Sequence, residues 1–476
     1  MKRALLLGFI VALFAVRNLP WHLDDLDQAK QAYTSYEMVT QGHWWFQHTP
    51  AGRMATKPPL AGWLSADFYG MMGGHAWVLA WRLPSFLSAL ALLLLLWKTG
   101  RELAGEPGAL IAVAAFSLNL TTPRLATLVR TDMMLTLFIA VAGWLVFEKV
   151  RCAASWTTRE RWALFAAVLA SMLTKGPIAY AFLLPGLAAH AWIVRRRGQP
   201  NLAWSGWWPW LAPLAFFALW AGIGIRASGD FYEQVVLKEF LGRFTVGEKA
   251  VHNNQSVFYY VAQGLKNWLP WSVAFLALLR TRAARKTLCT QPATLWLVCW
   301  AFGGLLFMSL IPSKRFDRIF PVLPPLCLLL AALYGQTMRE APEIWRRLAG
   351  ATMAAAMAIS GGYAGGKALT GYRTQQGALV ALGARVREIV KAHPERLAVV
   401  NARDEGMAMY TGATHFTPAN EAVNLWRAGR IDWLLLGEGT FAKREAELRP
   451  FRRVLELPRI AEKSSAYVLL ARPAPE

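Results

Sequence analysis

The chain of 476 residues has little charge, less acid and very little cysteine. Only 17% of its residues are charged, too few to cover the surface of a soluble protein of this length. The four cysteines, Cys152, Cys289, Cys299 and Cys327, fall in apolar runs or short basic loops and never at metal-ligand spacing. Neither a disulfide framework nor a zinc site is indicated. The apolar run from Ala4 to Val16 lacks a small-x-small cleavage site and is followed by Arg17-Asn18-Leu19-Pro20. It is expected to remain as a first helix with its start in the cytoplasm. No internal repeat or low-complexity segment stands out.

What the chain does have is apolar length. Hydrophobic residues make up 55% of it, mean hydropathy is +0.29, and there are 23 tryptophans, as expected for rings at membrane interfaces. Runs near 4–20, 78–97, 107–123, 132–149, 160–175, 178–194, 206–225, 267–280, 291–311, 318–336 and 348–367 read as about eleven transmembrane helices. Alternate connections are basic: Lys98 to Arg101, Lys149 to Arg161, Arg195-Arg196-Arg197, Arg280 to Lys286, and Arg339 to Arg347. These belong on the cytoplasmic side. The net charge of +22 is thereby spread over membrane-facing loops, which points to anionic lipid headgroups and phosphate-bearing lipids, not nucleic acid.

Residues 1–370 form the expected membrane domain, with outer loops at 21–77 and 226–266; residues 371–476 change character. Leu397–Val400, Trp433–Leu436 and Tyr467–Leu470 read as short buried strands, and Leu379 to His393 and Asn420 to Ala428 as helices. About 100 residues of this kind suffice for a small α/β domain, placed by the odd span count on the outer side. The fold class is therefore mainly α, a polytopic helix bundle with a small α/β extracytoplasmic domain.

The unusual residues gather on that outer face. Asp27 and Asp132 each stand at the outer mouth of a span, where a carboxylate either takes a proton from an acceptor hydroxyl or pairs with Lys30 or Arg130. Asp24 and Asp25 suit a solvated or helix-capping role. Lys57 precedes Pro58-Pro59, which fix it at the boundary as a point charge for a lipid phosphate or as an ordinary snorkelling lysine. Lys175 before Gly176-Pro177, and Lys314 between Ser313 and Arg315, repeat the device. Trp44, His252, Asn253, Gln255 and Tyr259 offer rings and uncharged polar groups for a sugar or acceptor. Glu239, Arg243 and Glu248 read equally well as a solvated face.

In these motifs the chain resembles the GT-C superfamily of membrane glycosyltransferases. The nearest branch is the one containing the aminoarabinose transferase that modifies lipid A; protein O-mannosyltransferases are more distant relatives. The carrying residues are Asp27-Gln28-Ala29-Lys30, Glu37-Met38, Gly42-His43-Trp44, Thr56-Lys57-Pro58-Pro59-Leu60, Arg82-Leu83-Pro84-Ser85 and Arg130-Thr131-Asp132. Lys175-Gly176-Pro177, His252 to Gln255, Leu269-Pro270-Trp271 and Ser313-Lys314-Arg315 follow in family order, so the likeness runs from about residue 1 to 335. It implies a GT-C fold and an inverting transfer of a sugar, aminoarabinose or another pentose or hexose. The donor would be a polyprenyl (undecaprenyl) phosphate and the acceptor lipid A or another envelope molecule, at the periplasmic face of the bacterial inner membrane. Asp27 would be the catalytic carboxylate, Asp132 a supporting acid, and Lys57, Lys30, Arg130, Lys175 and Lys314 the phosphate contacts. Gln28 stands where many members have glutamate, and Thr56 where relatives carry a candidate metal ligand. No metal or other cofactor is therefore expected, and the protein is taken as a monomer in membrane lipid. The competing class is a transporter or flippase for an anionic lipid, which would use the same basic surface without chemistry.

Overall fold

The structure is a computed structural model that describes residues 2–17, 23, 26–74, 77–244, 255–370, 374–402, 404–458 and 466–473. Asp24, Asp25, Glu248, His252 and Asn253 lie outside the described residues. The chain divides into two compact units that interleave in sequence. One comprises Met1–Arg17, Thr56–Ala61 and Arg82–Leu369; the other comprises Asn18–Ala55, Gly62–Trp81 and Thr370–Glu476. The second unit takes in the tail from Thr370 together with most of the first outer loop.

The first unit is a helix bundle. Each of the eleven apolar runs is helical over much of its length. Among the described residues five helices are long and apolar enough to cross a membrane alone: Val78–Ser117, Asp132–Cys152, Trp208–Ala227, Pro292–Leu310 and Phe316–Glu340. The count of eleven crossings is thus not reproduced by length and apolarity. Two reasons are visible. Two expected spans share the first helix, which breaks at Ala104 and Gly105. The expected span at 267–280 is only the nine-residue helix Trp271–Leu279. Leu94, Leu219, Leu306 and Leu310 stay exposed on these helices, as a lipid-facing surface requires.

Tryptophan serves the interior as well as the interface. Trp271, Trp296 and Trp300 are almost fully buried. The indole N–H of Trp271 donates to the Leu118 carbonyl at 2.8 Å, and that of Trp296 to the Gly143 carbonyl at 2.9 Å. Each ring therefore fills core volume while satisfying its polar end. The approach is close: a Cβ on Gly143 would lie 2.3 Å from the Trp300 ring.

The second unit carries a four-stranded sheet in the order β1-β2-β4-β3. Its strands are β1 (Leu397–Val399), β2 (Trp433–Gly437), β3 (Arg452–Leu457) and β4 (Tyr467–Ala471). β1 runs parallel to β2, and β4 lies antiparallel between β2 and β3. The three expected strands are the apolar, buried ones. Edge strand β3 was missed because arginines and a glutamate interrupt it, and such charges protect an exposed edge. Helices Ala419–Arg427 and Glu438–Leu448 cover the sheet around Trp426, Phe441 and Leu448. The helix Leu26–Gln41 also belongs to this unit and packs on the helix Gly406–Thr411.

Gly143→Ala should destabilise the bundle by about 1–3 kcal/mol, because the Trp300 ring must move. The check is the unfolding midpoint in detergent, with Gly222→Ala as control, since a Cβ there meets nothing within 4 Å.

Candidate active site

Within the first unit, helix ends set the charges. Asp132 opens the helix Asp132–Cys152 and Lys175 closes the neighbouring helix Thr158–Lys175. A carboxylate at a positive helix end thus meets an ammonium at a negative one. Lys175 Nζ donates to Asp132 Oδ1, with side chains only 8% and 6% exposed. After Lys175 the backbone turns through Gly176 at φ +77°, where a Cβ would come within 2.3 Å of the Phe240 ring. Only glycine meets both conditions.

A second acid organises the cations around it. Arg130 donates to Asp317 at 2.7 Å and Arg315 does so at 3.2 Å, while Lys175 and Arg318 lie within electrostatic reach of the same carboxylate. The Arg130 carbonyl is held by the Ser85 hydroxyl at 2.9 Å. Four cations (Lys175, Arg130, Arg315, Arg318) therefore face two carboxylates (Asp132, Asp317), an excess of two positive charges among the described residues. Lys175 also lines a cavity of about 480 Å³, whose other walls include Pro177, Ile178, Leu184, Phe240, Phe244 and Phe307. Lys314 is buried and donates to the Gln255 carbonyl at 3.0 Å; burial pulls its ammonium below the usual lysine range. Tyr259 is half-buried and stands edge-on to Tyr260.

Lys57 differs from the expectation of a lysine turned to the membrane surface. Its ammonium donates to Glu239, whose side chain is only 14% exposed. Glu239, read as equally suited to a solvated face, is the partner that holds it. Nothing local in the sequence links positions 182 residues apart.

The second unit holds the remaining acids. Asp27 lies exposed in the first turn of the helix Leu26–Gln41. Lys30, one turn later, pairs with Glu405 at 3.8 Å. Burial raises the Glu405 carboxyl above its ordinary 4.5; Lys30 opposes the shift, and Asp404 and Asp27 reinforce it. Glu405 is a site residue the sequence reading missed, because only the fold brings residue 405 to residue 30. The tail fixes the same helix further along, where the Tyr33 hydroxyl donates to the Thr414 carbonyl and Gln41 Nε2 does so at 2.8 Å. Trp44 is partly exposed, and its carbonyl accepts from Trp63 Nε1 at 2.6 Å and Gln47 Nε2 at 2.8 Å. Next to it, Glu37, His43 and His48 bring one carboxylate and two imidazoles together.

Residues 56–223 match the family model described as dolichyl-phosphate-mannose-protein mannosyltransferase. Over 335 residues the chain is 27% identical to an undecaprenyl phosphate-alpha-4-amino-4-deoxy-L-arabinose arabinosyl transferase of Erwinia tasmaniensis, covering 69% of this chain and 59% of that one. The namesake of Shewanella sediminis is 28% identical over 342 residues, covering 69% and 60%. The chain thus spans about three-fifths of the length of the curated relatives it matches. In three dimensions it is similar to the crystal structure of ArnT from Cupriavidus metallidurans bound to undecaprenyl phosphate. That match has a TM-score of 0.75 at 18% identity and covers 98% of each chain. The fold is that of this structure, and the resemblance to GT-C transferases of the aminoarabinose branch is borne out. The chain is a multi-pass inner-membrane protein.

Lys57→Ala should lower stability by on the order of 1–3 kcal/mol by leaving Glu239 half-buried without its cation, and adding Glu239→Gln should recover most of the loss. Thermal unfolding of the single and double variants is the check. For Glu405, where burial outweighs the Lys30 pair, the sign runs the other way from an acid whose carboxyl is pulled down. Its raised folded value means the associated stability is fully present below 4.5 and is lost as pH rises through that raised value. Glu405→Gln, which mimics the protonated acid, should narrow the difference in unfolding temperature between acidic and neutral pH.

Proposed function

We propose that the protein transfers a sugar from a polyprenyl-phosphate donor to a hydroxyl of lipid A or another envelope acceptor at the periplasmic face of the inner membrane. The observation that carries this reading is the cluster around Asp132, Lys175 and Asp317. Among the described residues it has two excess positive charges, and an apolar cavity of about 480 Å³ opens from its Lys175. A polyprenyl phosphate has that shape in reverse, an apolar chain ending in a phosphate that carries one negative charge while the sugar is attached and up to two once it has left. Lys175 and Arg130 would exchange part of their hold on Asp132 and Asp317 for the phosphate, whose charge grows as the glycosidic bond breaks. Lys57, released from Glu239, and Lys314 are the further cations proposed for the donor. The names of the relatives, which specify an undecaprenyl-phosphate aminoarabinose donor, favour an amino sugar.

Asp27 is the proposed general base. It would accept the proton of the acceptor hydroxyl as that oxygen attacks the anomeric carbon and the polyprenyl phosphate departs with the bonding pair. Direct displacement inverts the anomeric configuration. Glu405 keeps Lys30 beside Asp27, so the helix presents a carboxylate with a fixed cation near it. A protein that only moved lipid across the membrane would need neither.

Asp27→Asn should lower transfer by about 10²–10⁴-fold while leaving donor binding close to wild type, since it removes the base and keeps the shape. The check is single-turnover transfer with purified protein. Retention of more than about a tenth of the wild-type rate would sink the base assignment. Mass spectrometry of lipid A and surface glycans from a deletion strain would identify sugar and acceptor.

A further inference from the structure

The helix Leu26–Gln41 carries Asp27 in its first turn and Glu37 ten residues later, about 15 Å along the axis. Glu37 therefore lies away from the proposed base, yet its carboxylate is 1% exposed and is not neutralised by a lysine or arginine among the described residues. Two imidazoles converge on one of its oxygens instead. His43 Nδ1 stands 2.7 Å and His48 Nδ1 3.0 Å from Glu37 Oε1, and the rings lie 5.0 Å apart at 67°. The three donor atoms fall within 4.8 Å of one another. The other oxygen, Oε2, accepts the His48 backbone N–H at 2.6 Å, which fixes the carboxylate plane.

The geometry points to a divalent transition-metal site, of zinc type, formed by Glu37, His43 and His48. Two imidazole nitrogens and one carboxylate oxygen are a donor set suited to zinc, and water completes a tetrahedron. An ion with ordinary bond lengths would space its donors about 3.3 Å apart, so the two short pairs open by roughly 0.3–0.6 Å while the two imidazole nitrogens, within 4.8 Å of one another, settle to the same spacing. The carboxylate is already oriented by its backbone donor. His43, with 46% of its side chain exposed, leaves a path in from solvent.

The ion's role is structural. It ties the segment after the helix to the fourth turn, and that segment is held at its far side by the tail, where the Phe416 N–H donates to the Pro50 carbonyl at 2.6 Å. The bridge between His48 and Met54 closes the loop between these two points. The ion thereby locks together the body that carries Asp27 and contacts no reacting atom. This inference is independent of the transferase reading.

The test uses full-length protein purified in detergent without a polyhistidine tag. After chelator treatment and dialysis, zinc chloride titrated by calorimetry and followed by elemental analysis should give about one zinc per chain, and the unfolding midpoint should rise with zinc concentration. Cobalt(II) in place of zinc should give visible absorption bands of a four-coordinate site. His43→Asn, at a half-exposed position that tolerates substitution, should weaken zinc binding by on the order of tenfold or more. Glu37→Gln should abolish it. Tryptic cleavage at the exposed Arg53 should be faster in the chelated protein than in the reloaded one. No zinc above background in the wild type, or equal binding by wild type and His43→Asn, would overturn the assignment. In the first case the trio is a hydrogen-bonded cluster only; in the second, zinc binds elsewhere.

Discussion

Charge at an apolar boundary has to be paired, and this constraint governs the whole helical unit. Removing an ammonium or a carboxylate from water costs several kcal/mol unless a partner or good hydrogen bonds offset the loss. Asp132 answers Lys175, Asp317 answers Arg130 and Arg315, and Glu239 answers Lys57. These pairs sit at helix ends and turns, which are thereby locked in register. They are also exchangeable, since an anionic ligand can replace a carboxylate without leaving a cation bare. The same contacts thus hold the site in shape, and under the proposed function they are the ones a phosphate would exchange with.

The second unit follows a different rule. Its sheet is closed by an apolar core around Trp426, Leu434, Leu436 and Leu470, and the helix Leu26–Gln41, packed on Gly406–Thr411, is pinned to the tail by polar contacts as well. Tyr33 and Gln41 both reach the Thr414 carbonyl, Lys30 reaches Glu405, and Pro50 receives Phe416. The tail is therefore more than a cover. It is the support on which the helix bearing Asp27 is mounted, and it contributes a carboxylate of its own beside that helix.

Much of this was legible in the sequence, for physical reasons that also mark where legibility ends. Continuous apolar runs identified the helices and strands β1, β2 and β4, because burial on all sides demands such runs. Strand β3 was hidden by its charges, and the nine-residue helix Trp271–Leu279 by the expectation that an apolar run must cross. Asp132 and Lys175 announced themselves through their positions at span ends. Their pairing did not, nor did Glu239 with Lys57 or Glu405 with Lys30, since each depends on segments far apart in the chain. The imidazoles of His43 and His48 were missed for a subtler reason. Their spacing from Glu37 matches no metal motif read along a helix, and only the turn at residues 42–48 folds them back onto it.

Interleaving has a consequence in time. Tyr33 and the Thr414 carbonyl it holds are 381 residues apart. At a synthesis rate of about 5–20 residues per second, the second arrives roughly 20–75 s after the first. Throughout that interval the growing chain can insert its apolar helices one after another, while the segment bearing Asp27 is without its support. A chain cut short before Thr414 would therefore keep its paired cations while the helix bearing Asp27 lacked its mount. Completion of the polypeptide, not arrival in the bilayer, is what seats that helix.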